Sequence, residues 1–254
     1  MTVDAPPQTA VRTVPALLGG AVVAQIAYPL VSGDARDVLT ELIVVVVAVA
    51  SLCHAAITRG RRVAAALAAV SVVGGFAVEV LGVHTGVPFG RYEYRDSLGA
   101  SLFGVPVVIA FAWPMLAWPA ALAARRLADS FAARIALGAW ALTAWDVFLD
   151  PQMVAAGHWH WLDVSAHLPG VPAVPLTDYA GWFVVSALMS YVLQRVLTSS
   201  EEADRWPLAF YLWTWASSTL ALAAFLDLAA AAAWGFVAMG TVALPLARSL
   251  SRSR

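Results

Sequence analysis

The sequence predicts an all-α protein, a polytopic bundle of about eight transmembrane helices (seven as the fallback) with both termini inside. Three observations carry this. Hydrophobic residues make up 61% of the 254 and charged residues only 12%, roughly half the charged fraction of a soluble domain. The mean hydropathy is +0.77. Stretches of roughly 20 apolar residues, the length a helix needs to cross a bilayer, recur along the chain.

Taken in order, the first dozen residues, MTVDAPPQTAVR, hold Asp4 and two prolines and no basic cluster before the apolar run. Residues 1–13 therefore read as a disordered cytoplasmic tail, not a secretory signal peptide. Candidate spans follow near 14–31, 38–58, 63–84, 103–124, 131–149, 179–198, 207–225 and 228–247. Only Leu226-Asp227 separates the last two. The 41 residues from 207 to 247 would make about 60 Å of helix, too long for one crossing. They are read as a hairpin in which Asp227 caps the last helix. Residues 14–247 then form a single transmembrane catalytic domain, and 248–254 a short basic cytoplasmic tail.

The arginines set the orientation. With the N-terminus inside, twelve of the fifteen fall on the inner side and only Arg36, Arg91 and Arg95 outside. That is a strong positive-inside bias and places the protein in the cell membrane. All fifteen basic residues are arginine, which excludes a retinal Schiff base, a P-loop and a lysine nucleophile. The net charge of -1 argues against a nucleic-acid partner. Cys53, the single cysteine, excludes an internal disulfide and reads as a small packed residue.

The acids fall mostly at the outer ends of the spans, as do His84, His158, His160 and His167. The two long connections, near 85–102 and 150–178, are also outside, and long structured loops are where function concentrates. Glu79 lies five residues before His84, about 7–8 Å below the helix end. An ionisable group at that depth costs about 2.5–3.5 kcal/mol on the milder insertion scales and marks a functional site by default. Asp146 and Asp150 share one helical face, one turn apart. Pro151 is expected to end that helix, which would leave Asp150 at the interface and Asp146 one turn deeper. The pair reads as one neutral acid and one carboxylate, the combination that general acid–base chemistry uses.

Two aromatic clusters, TGVPFGRYEYRD (85–96) and GHWHWLD (157–163), lie in the outer loops. Tyr92, Tyr94, Trp159 and Trp161 are candidate walls of a site. Gly-Val-Pro recurs at 86–88, 104–106 and 170–172, so these loops read as ordered lids. Trp113-Pro114 and Trp118-Pro119 should bend helix four, with Trp113 near mid-membrane. His158 and His160 could form a His-x-His metal pair, but no third ligand is evident and no metal is expected.

The segments FAVEVLGVHTGVPFGRYEY, LFGVPVVIAFAW, DVFLDP followed by GHWHW, and PGVP…YAGW resemble the CruF-type carotenoid hydratase family of integral membrane proteins. Where that family is expected to carry asparagine before its aromatic-Gly-Trp stretch, this chain has Asp178. The resemblance implies addition of water to the terminal double bond of an acyclic carotenoid, a ψ-end or an isopentenyl extension, giving a tertiary alcohol. Protonation to a tertiary carbocation and capture by water need no cofactor. Catalytic candidates are Glu79, Asp146 and Asp150, with Asp146 or Glu79 as proton donor, the other orienting water, and Asp150 tuning the donor. Substrate-binding candidates are His84, Tyr92, Tyr94, Trp113 and Trp145, with His158, Trp159, Trp161, Asp178 and Trp182. Gly74, Gly75 and Gly82 are expected to leave room for the polyene between lipid-embedded helices.

Three other readings fit less. Asp146-x-x-x-Asp150 is similar to the magnesium-diphosphate motifs of membrane prenyltransferases, but a second acid-rich motif is missing. A carotenoid cyclase shares the first protonation. A proton-coupled transporter or apolar-ligand-binding protein suits intramembrane acids, but such acids would sit nearer mid-depth in repeated halves.

Overall fold

The computed structural model describes residues 8–197 and 202–252. The first seven residues of the expected N-terminal tail and the last two of the basic tail lie outside them. Eight long helical segments follow one another. They are α1 (Gln8–Ala27), α2 (Asp34–Arg59), a continuous third rod, α5 (Ile109–Leu127), α6 (Phe131–Ala156), α7 (Leu176–Val196), α8 (Arg205–Ala224) and α9 (Ala229–Ser251). The third rod joins α3 (Arg61–Leu67) to α4 (Gly74–Thr85) through a π-helical turn over Ala68–Val73. Six crossings are long and apolar enough to span a bilayer by length and composition, and the chain is an integral membrane protein. The other two are α5 and α8. In α5 every residue from Trp113 to Ala124 is buried in protein.

Opposite ends of the bundle are built differently. At the arginine-rich end, Arg59 grips both carboxylate oxygens of Asp204 at 3.0 and 2.7 Å. There Trp118 donates to Nδ1 of His54 at 3.0 Å, and Arg126 donates to the Ser249 hydroxyl at 2.9 Å. At the other end the long connections form three antiparallel two-stranded ribbons. The first pairs β1 (Tyr92–Tyr94) with β4 (Trp159–Trp161), the second β2 (Ser101–Leu102) with β3 (Val105–Pro106), the third β5 (His167–Leu168) with β6 (Val171–Pro175). These connections are ordered, as their turn residues indicate.

Three local expectations are corrected. The fourth crossing starts at Ile109, not near 103, because Phe103 (φ 53°) and Gly104 (φ 79°) form the two-residue turn of a hairpin; two successive positive φ values are what such a turn requires. Helix α6 runs through Pro151 to Ala156 and stops at Gly157, whose φ is 82°. A proline inside a membrane helix is tolerated when neighbours enclose the freed carbonyl, and Pro151 is itself buried. Asp227 does not cap α9; Leu228 occupies that position, and Asp227 holds a φ of 55° in the α8–α9 turn.

Candidate functional site

Glu79 is held by two elements at once. Helix α4 carries it inward, where it is only 5% exposed. The β1 strand then crosses over it, and the hydroxyls of Tyr92 and Tyr94 both donate to Oε2, at 2.6 and 2.9 Å. Helix α5 supplies the third donor, the Trp113 indole N–H, at 3.2 Å from Oε1. Three donors on one carboxyl group fix its orientation in the site. Burial, and then the charge of Glu79 beside them, push both phenols well above their ordinary pKa, so they remain donors.

Small residues make this clamp possible. A Cβ on Gly75 would stand 2.5 Å from the Trp113 ring, and one on Gly82 would stand 2.8 Å from the Tyr92 hydroxyl. The room expected for a polyene at Gly75 and Gly82 is thus filled by side chains of the site itself. At Gly74 a Cβ would meet only the Ala69 carbonyl, at 3.5 Å.

The β1–β4 ribbon orders the aromatic wall. Its register sets Tyr92 opposite Trp161 and Tyr94 opposite Trp159, and alternate residues of a strand share a face. Their rings lie 5.7 and 5.5 Å apart. Trp182 of α7 stacks on Trp113 at 4.2 Å, and Trp145 meets Trp182 edge-on at 6.0 Å.

Asp146 and Asp150 from α6 meet Asp178 from the first turn of α7. One oxygen from each lies within 4.8 Å of the other two. Their exposures are 0, 3 and 1%. Because α6 continues past Pro151, Asp150 is enclosed and not at the interface as expected. Both oxygens of Asp146 and one each of Asp150 and Asp178 accept no hydrogen bond from the described residues. Glu79, Asp150 and Asp178 line one small chamber of about 30 Å³, whose described lining includes no arginine or histidine. Three buried carboxyl groups without a cation share protons rather than carry three charges. The same donor set has the composition to hold a hard divalent cation.

Most of the expected site residues converge here: Glu79, Tyr92, Tyr94, Trp113, Asp150, Trp159, Trp161, Asp178 and Trp182 line the chamber. Asp146 stands among the acids, and Trp145 backs Trp182. His84 is not in the chamber. It is exposed, with Nδ1 on the Val80 carbonyl at 2.9 Å. Five helical residues turn it about 140° away from Glu79. His158 faces away from the acids as well. Its Nδ1 is 2.8 Å from the Ser97 hydroxyl and its Nε2 is 3.9 Å from Asp37. The two histidines of His-x-His join no metal-ligand cluster among the described residues.

Sequence reasoning missed the apolar members Phe89, Ile109, Ala112 and Leu149. Phe89 and Leu149 carry local signals, since Phe89 lies within the 85–96 aromatic cluster and Leu149 adjoins Asp150.

The bisanhydrobacterioruberin hydratase of Haloarcula japonica is 32% identical over 133 residues, which cover 49% of this chain and 42% of that protein. No solved structure matches. The family of carotenoid biosynthesis proteins matches residues 37–244, from α2 into α9, and the chain belongs to it.

Proposed function

We propose that the protein hydrates the terminal carbon–carbon double bond of an acyclic carotenoid in the cell membrane, with both termini inside. Residues 14–247 act as one catalytic domain. The observation that carries this reading is one aromatic chamber lined by Asp150 and Asp178, with Asp146 clustered behind them, and by a Glu79 carboxyl group held by three donors. Hydration needs an acid that gives a proton to one alkene carbon and a base that takes one from water at the other. Asp150 is the donor that faces the chamber. Asp146 behind it and Asp178 beside it hold the shared protons. Glu79 receives the proton of the attacking water, and the face of Trp159 stabilises the tertiary cation between the two steps. The net reaction adds H and OH across the double bond, with no change requiring an electron carrier.

Support also comes from the family and from the Haloarcula japonica hydratase, which resembles 49% of this chain. The test is pigment mass analysis in cells that accumulate acyclic carotenoids, in ¹⁸O-labelled water. A gain of one labelled water per modified end is expected; a changed pigment of unchanged mass would mean cyclisation.

The same three aspartates favour a second reading, a magnesium-diphosphate site. The chamber's described lining offers no basic side chain to meet a diphosphate. Activity that rises with added magnesium and falls with a chelator would favour that reading over hydration.

A further inference from the structure

The acid chamber is small. At about 30 Å³ it has room for one or two water molecules and not for a branched hydrocarbon end. A larger cavity of about 120 Å³ lies against it, between α1, α2, α5, α6 and α8. The two share Ile109, Ala112, Leu149 and Trp159 as a common wall.

Helix α6 explains the division. Trp145, Phe148, Leu149, Gln152 and Met153 line the larger cavity, and these positions fall on one helical face at the i, i+3, i+4, i+7, i+8 spacing. Asp146 and Asp150 follow their neighbours Trp145 and Leu149 by one residue, so they point about 100° around the same helix. One turn of α6 thus offers an apolar face to one cavity and acids to the next, with Leu149 at the border.

The geometry points to a division of labour: the larger cavity binds the terminal isoprenoid segment of the substrate, and the acid chamber holds the water and protons that act on it across Ala112 and Leu149. This assignment rests on the hydration reading. The cavity extends about 12 Å along α6, from Trp145 to Met153, and about 10 Å along α8, from Thr214 to Ala221, taking 1.5 Å per residue. That is the reach of one chain end, not of a whole carotenoid. Part of its polar lining is satisfied within the protein. Thr40 and Thr214 bond their own helices at 2.9 Å each, and Gln25 accepts from Trp213 at 2.8 Å. Those groups therefore leave an apolar guest undisturbed. Recognition is confined to the terminal segment, whatever lies at the far end of the polyene.

The test uses three phenylalanine substitutions on one helix, in the full chain reconstituted in lipid nanodiscs. Ser218→Phe and Ala221→Phe fill the cavity, and Leu220→Phe lies on the exposed side of α8. Lycopene is the probe, with affinity read from quenching of tryptophan fluorescence and turnover from water addition. Both cavity variants are expected to weaken lycopene binding at least tenfold, and Leu220→Phe to leave it unchanged. Wild-type affinity and hydration in both cavity variants would overturn the assignment and leave the hydratase reading intact. Binding that is lost in both, with no hydration by the unaltered protein, would uphold the cavity and overturn the hydratase reading. No lycopene binding by the unaltered protein would overturn the cavity assignment.

Discussion

Tyr92 donates a 2.6 Å hydrogen bond to Oε2 of Glu79, thirteen residues away along the chain. That bond fastens the outer β ribbon onto a membrane helix. It also places a phenol donor on the one acid that α4 carries into the chamber, so a single contact ties the ribbon to the site. In the proposed hydration Glu79 is the acceptor of the water's proton, one of the two roles that its sequence position left open.

The first prediction concerns this clamp. Tyr92→Phe removes one charge-assisted bond, of the kind that contributes about 1.5–3 kcal/mol, and should lower kcat roughly 10- to 100-fold with normal membrane insertion. Glu79→Gln keeps an acceptor for the two tyrosines but loses the base, and should cost about 10²–10⁴-fold, the usual contribution of a positioned acid or base. A Glu79→Gln variant with full hydration activity would remove Glu79 from the mechanism.

The second prediction separates the three aspartates. Asp150 lines the chamber and is the donor in the proposed hydration, so Asp150→Asn should lose hydration by at least about 10²-fold. Asp178→Asn keeps a side chain that hydrogen-bonds Asp150, and the resemblance to the CruF-type family expects asparagine at this position. Its activity should stay within about tenfold, the equivalent of one ordinary hydrogen bond. Measured side by side, equal losses in the two variants would make Asp178 a proton donor in its own right.

Charge in an apolar run makes Glu79, Asp146 and Asp150 stand out in the sequence, because such groups are rarely kept without a use. Apolar run lengths likewise locate all eight long helical segments to within a turn or two at most boundaries. What the sequence conceals is long-range. Nothing local says that Tyr92 lies opposite Trp161, or that Asp178 meets Asp146; those pairings come from the ribbon register and from the packing of α7 on α6. Pro151 misleads because proline stops helices in water, whereas here it is enclosed and α6 ends six residues later at Gly157. His84 misleads because closeness in sequence to Glu79 is not closeness on a helical face.

A third prediction tests the packing beneath the clamp. In Gly75→Ala the new methyl would lie 2.5 Å from Cδ1 and 2.6 Å from Cγ of Trp113, a distance at which the indole must move. Trp113 would then lose its bond to Glu79 and its stack on Trp182. Activity should fall at least tenfold while the protein still inserts and purifies as the wild type does. Normal activity in Gly75→Ala would show that Trp113 need not hold its place.

The last prediction concerns the outer latch. His158 is buried where the α6–β4 turn, the loop carrying Ser97 and the first turn of α2 with Asp37 come together. Burial lowers its pKa below the ordinary histidine value, and the nearby Asp37 offsets this only in part. The closed lid therefore binds fewer protons at this position than the open one. Its contribution to closure is complete above about pH 6.5, histidine's ordinary value, and is lost as pH falls toward the lowered value of the closed form. Hydrogen exchange at the amides of 92–102 should accelerate as the pH drops below about 6.5, once the intrinsic pH dependence of exchange is removed. His158→Gln keeps a polar group for Ser97 but cannot titrate, so its corrected exchange should be flat over the same range. An equal acid response in wild type and variant would assign the loosening to another group.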